Sequence, residues 1–120
     1  MNQAIKEKWV NALKSGEYEQ GTDFLNKDGE FCCLGVLCDL YNKETGIEWE
    51  DAKWEDAKNQ APKHKIKSFL GQQAVLPSVV VEWAGLENDN PLILGYESLA
   101  SINDKYESFK EIANLIEKYL

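Results

Sequence analysis

The chain has 120 residues, 13 basic against 21 acidic, a formal net charge of −8 and a sequence pI near 4.6. With 43% hydrophobic and 28% charged residues it has globular rather than disordered composition, and its length fits a single domain, 1–120, whose core needs no disulfide or metal staple. All the basic residues are Lys, and the absence of Arg together with the net charge of −8 argues against double-stranded nucleic acid and anionic membranes as partners; no apolar run reaches the roughly 18 residues of a membrane span, and Lys6 and Lys8 lead into no apolar signal segment.

Taken in chain order, residues 3–14 predict an amphipathic helix, with Ile5, Trp9, Ala12 and Leu13 on one face and a stop at Ser15-Gly16. From Glu17 the period changes to two, with Tyr18, Gln20, Thr22 and Phe24 on a common side. Asn26-Lys27-Asp28-Gly29 is a turn signal, so a hairpin is expected over 18–33. The run Cys33 to Tyr41 is almost wholly apolar and predicts a buried helix over about 34–44, ended near Gly46. Two copies of Trp-Glu-Asp-Ala-Lys follow at 49–53 and 54–58. Their five-residue period suits neither helix nor strand, and 47–65 reads as a surface excursion stopped by Pro62. Weak strand patterning at 66–75 precedes a helix opened by Pro77 and closed by Gly85, although its three consecutive Val favour a strand. Residues 91–95 predict a short strand and 96–102 a helix. Residues 109–119 predict the clearest helix, from the Ser108–Glu111 capping spacing and the stripe Phe109, Ile112, Ala113, Leu115, Ile116, Tyr119. The order of these elements implies an α+β fold: a small antiparallel sheet, formed by the N-terminal hairpin and short strands, packed with four to five helices.

Four segments together resemble a family of small uncharacterised proteins of tailed bacteriophages and prophages. They are Trp9-Val10 through Gln20-Gly21, Phe31-Cys32-Cys33-Leu34-Gly35-Val36-Leu37-Cys38-Asp39-Leu40-Tyr41, Leu76-Pro77 through Leu86, and Leu99 through Glu117. The Cys-Cys-Leu-Gly-Val-Leu-Cys-Asp segment is the most specific. The resemblance implies a phage origin and action in the host cytoplasm, and it implies no reaction. A small Gly-containing turn is expected after Asn103-Asp104, where this chain has Lys105-Tyr106-Glu107, and the Trp-Glu-Asp-Ala-Lys repeat is particular to this sequence.

Cys32, Cys33 and Cys38 sit within seven residues. Their odd number and close spacing suit neither a disulfide framework nor a zinc site, and small apolar core residues kept reduced are the expected role. Neither a metal nor a cofactor is expected. Cys33, where a strand passes into a helix, offers one alternative: a cysteine-dependent hydrolase with a thiol activated at a helix N-terminus and His64, the only imidazole, as base. Residues 59–76 carry three Lys and no acid. Trp49 and Trp54 precede Lys63, His64 and Lys65, and together offer stacking faces and cations for a small nucleotide-like ligand, or an anchor for a protein partner; packing of the excursion on the body is the alternative. Gln20 and the pair Asn103-Asp104 are the next candidates for a ligand-binding site, although a bulge at Gly21 and helix capping explain them equally. The functional expectation is a phage-derived, non-catalytic binding protein that counters a host defence by sequestering a small signalling nucleotide or by blocking a host defence protein. An internal phage accessory protein is the further alternative, and the oligomeric state stays open, a homo-oligomer included.

Overall fold

The computed structural model describes residues 1–52, 64–93, 95–105 and 107–120. Helix α1, Gln3–Lys14, starts where the Asn2 side chain accepts from the Ile5 N–H at 3.1 Å, a side-chain cap for an otherwise orphaned donor. It buries Ile5, Trp9, Val10 and Leu13. The Trp9 indole N–H donates to the Cys33 carbonyl at 2.9 Å, which ties α1 to the start of helix α2, Cys33–Thr45. Helix α2 buries Cys33 through Cys38 and Tyr41, and Gly46 closes it in the left-handed region with φ 79°. Gly35 has no room for a side chain: a Cβ there would drive into the Leu25 carbonyl.

The short strands β1 (Glu19–Gln20), β2 (Asn26–Lys27), β3 (Glu30–Phe31), β4 (Glu50–Asp51) and β5 (Ile66–Ser68) form one sheet in the order β1-β3-β2-β5-β4. The fold is α+β, with five helices around this sheet and a separate pair, β6 (Leu92–Ile93) with β7 (Glu97–Ser98). The sheet is mixed rather than antiparallel. Residues 26–27 and 30–31 form the hairpin across Asp28-Gly29, both with positive φ, but β1 joins β3 in parallel. The alternation expected through residue 24 fails after Gln20, because the chain turns away through Asp23 at φ 70°. The first part of the expected excursion belongs to the sheet, since β4 pairs with β5. Residues 53–63, including Trp54 and Lys63, lie outside the described residues.

Helix α3, Ser78–Ala84, follows Pro77, which stands at the N-cap rather than inside the first turn, and Gly85 caps it at φ 68°. Helix α4, Leu99–Lys105, begins later than the sequence suggests. Glu97 and Ser98 pair with β6, and the Ser98 hydroxyl accepts from the Ser101 N–H at 3.2 Å, so strand pairing and a Ser cap displace the expected start at Tyr96. Helix α5, Phe109–Tyr119, has the expected bounds, and the Ser108 side chain accepts from the Glu111 N–H. It packs along α1 and sends Ile112, Ala113 and Ile116 into the core.

Candidate functional site

Gln20 lies far in sequence from the pair Asn103-Asp104 and meets it in space. Asn103, only 3% exposed, uses its whole carboxamide. Its Oδ1 accepts from the Cys33 N–H at 3.2 Å and from Gln20 Nε2 at 3.1 Å, and its Nδ2 donates to the Gly21 carbonyl and to Asp104 Oδ1. Gln20 Oε1 accepts from the Phe109 N–H and its Nε2 also donates to the Glu107 carbonyl at 2.8 Å. Asp104 Oδ1 further accepts the Asp23 N–H at 3.1 Å. Asn103 thus caps α2 and Gln20 caps α5, each supplying an acceptor to a helix's first free N–H. These amides are spoken for, and they form a wall rather than a set of free donors.

Beside that wall runs a cleft made of two adjoining depressions that share Lys105 and Glu107. One, of about 400 Å³, is bordered by Gln20, Thr22, Asn103, Asp104 and Ser108. The other, of about 410 Å³, has Ile93, Ile102 and Leu115 as its apolar lining with Tyr96 and Glu97 at the side. Lys105 Nζ is held by Glu97 at 3.3 Å. Among the described residues neither Asp104 nor Glu107 is ion-paired. The cleft combines an apolar lining with two carboxylates that no cation among the described residues pairs.

The other candidate residues stand elsewhere. Trp49 is half-buried rather than exposed among charges: its Nε1 donates to Asp39 Oδ1 at 3.0 Å, and its ring packs on Phe31 and Phe69. The Tyr18 hydroxyl donates to the other Asp39 oxygen at 2.6 Å. Burial, reinforced by that hydrogen bond to a carboxylate, pushes the phenol well above its usual range. Asp39, which sequence reasoning passed over, thus fastens the 47–52 segment to α2. Its place two turns into a helix of core residues was the available signal.

His64 Nδ1 lies 2.7 Å from Asp28 Oδ2, and the Lys65 N–H donates to Asp28 Oδ1 at 2.8 Å. The Lys65 N–H and then His64 hold the Asp28 carboxyl below its ordinary value. His64 is exposed just ahead of β5, against Asp28 of the β2–β3 turn, whereas Cys33 is sealed at the head of α2, its thiol directed to the Leu99 carbonyl at 3.7 Å. Burial pushes Cys32 up to about 11 and raises Cys33 and Cys38 well above ordinary thiols. The thiol and the imidazole are not brought together, and desolvation outweighs any activation from the helix N-terminus. Among the described residues no three His, Cys, Asp or Glu side chains converge to hold a metal ion. No helix among them is long and apolar enough to cross a membrane.

The model of a family described as a domain of unknown function, DUF8296, matches residues 1–120. The chain belongs to the DUF8296 family. Neither the curated proteins nor the solved structures contain a match to it. In this DUF8296 domain the residues that sequence reading missed are those of the apolar half of the cleft and Glu107. Leu115 reads as a core stripe position, and nothing local distinguishes the core from a cleft lining. Glu107 follows Asp104 by three residues, but only the fold places Leu115 and Ile93 beside it.

Proposed function

We propose that this DUF8296 domain is a phage-derived, non-catalytic binding protein that acts in the host cytoplasm and counters a host defence by docking on a host protein. The observation that carries this reading is the cleft at the α4–α5 junction, where an apolar lining adjoins Asp104 and Glu107 without a paired cation among the described residues. A nucleotide would bring phosphates to that acidic surface, at a cost in like-charge repulsion. The net charge of −8 without Arg further favours a basic protein target, by steering its approach. Catalysis is disfavoured by the burial of all three thiols and by the engagement of His64 with Asp28.

The reading is tested by expressing the chain in bacterial hosts that carry different defence systems and plating sensitive phages on them. Restored plating on at least one defended host is expected. Unchanged plating across the panel, with the folded protein present, would favour an internal accessory role instead.

A further inference from the structure

We infer that the α4–α5 cleft takes a basic segment of a partner protein, with a Lys or Arg side chain against Asp104 and Glu107 and a neighbouring apolar side chain on Leu115 and the Tyr96 ring. This rests on the binding reading above and specifies the chemistry of the partner. The charge complement is one-sided. Lys105, the cation between the two depressions, is already satisfied by Glu97 at 3.3 Å. The Asp23 N–H bonds to Asp104, which brings a further acidic residue to the same end. A cation arriving from outside meets Glu107 and Asp104, which no cation among the described residues pairs, although Asp104 Oδ1 accepts two hydrogen bonds, whereas an anion meets one Lys that Glu97 already shares.

The apolar half supplies what a charge pair alone would not. Exposed salt bridges contribute at most about 1 kcal/mol, so affinity has to come from buried apolar area beside them. Ile93 and Ile102 are almost fully buried at the base of the depression, and Leu115 is partly exposed to it. Tyr96, 74% exposed on the β6–β7 hairpin, presents a ring at the side of the depression, and Tyr faces attract Lys and Arg as well as apolar groups. Each depression, near 400 Å³, suits one or two side chains. The Gln20–Asn103 wall is internally satisfied, so discrimination falls to Asp104 and Glu107.

The test is an amide-resolved NMR titration of the folded chain with two synthetic tetrapeptides, acetyl-Lys-Leu-Lys-Leu-amide and acetyl-Glu-Leu-Glu-Leu-amide. The Lys peptide should shift Glu97, Lys105, Glu107 and Leu115 saturably, and the Glu peptide should not. Glu107→Lys should weaken the Lys peptide at least tenfold, and Glu107→Gln by a smaller factor. Both variants should keep the melting temperature, because no described hydrogen bond uses the Glu107 carboxylate. Shifts confined to other surfaces, equal response to both peptides, no response, or full affinity in Glu107→Lys would overturn the inference. The plating assay judges the anti-defence reading separately: cleft binding without any plating effect contradicts that reading alone, and plating without cleft binding contradicts this inference alone.

Discussion

Replacing Asn103 by Ala removes the acceptor shared by the Cys33 N–H and Gln20 Nε2, and the donor that satisfies the Gly21 carbonyl. Each buried group left alone costs roughly 1–3 kcal/mol, so Asn103→Ala should lose about 3 kcal/mol in urea unfolding. A loss below about 1 kcal/mol would show that the network is not what joins β1, α2 and α5. The buried thiols give a prediction in pH. Their folded values lie above the unfolded ones, so the stability they contribute is complete below about pH 8.5 and is lost as pH rises toward the folded values. Stability should therefore fall from about pH 9 toward 11, by about 1.4 kcal/mol per pH unit for each thiol. Cys32→Ala should flatten that slope by about one proton's worth, read by denaturant titrations across the range. An identical slope in wild type and Cys32→Ala would contradict its burial. The sequence made Gln20 and Asn103-Asp104 visible as candidates but not as partners, because the contact that joins them spans more than 80 residues.

At the scale of elements, legibility followed locality. Helix α5 was readable to its ends because its Ser108 cap and apolar stripe are encoded within a dozen residues. The parallel β1–β3 pairing was not, since it depends on Gly21, whose N–H donates to the Phe31 carbonyl and whose position leaves no room for a side chain against Glu30. The start of α4 was misread for a similar reason: the pairing of β7 with β6 captures Glu97 and Ser98 before the helix can. Two substitutions in α5 separate a local device from a packed one. Ser108→Ala removes one cap and should cost about 1 kcal/mol. Ile112→Asp places a charge at a fully buried position and should cost about 4 kcal/mol or more, a large share of the roughly 5–15 kcal/mol that holds a domain folded. Circular dichroism melts of both decide it, and an unchanged melt for Ile112→Asp would dislodge α5 from the core.

At the scale of the whole molecule the net charge is −8 without any Arg, but the balance of charge is set locally by which Lys is occupied. In the described part of the basic stretch His64 is drawn to Asp28 and Lys67 to Asp51, and Lys105 is drawn to Glu97, while among the described residues no cation pairs with Asp104 or Glu107. Binding through such a cleft should weaken as ionic strength rises from about 0.05 to 0.3 M, because screening shortens the reach of exposed charges to a few ångströms. Salt-independent affinity would assign the interaction to apolar contact alone. The central claim, that this domain works by docking through the α4–α5 cleft, is tested most directly by plating phage on a defended host that expresses Glu107→Lys in place of the wild-type chain. The account predicts a protein that melts with wild type and no longer restores plating; full restoration by the folded variant would contradict it.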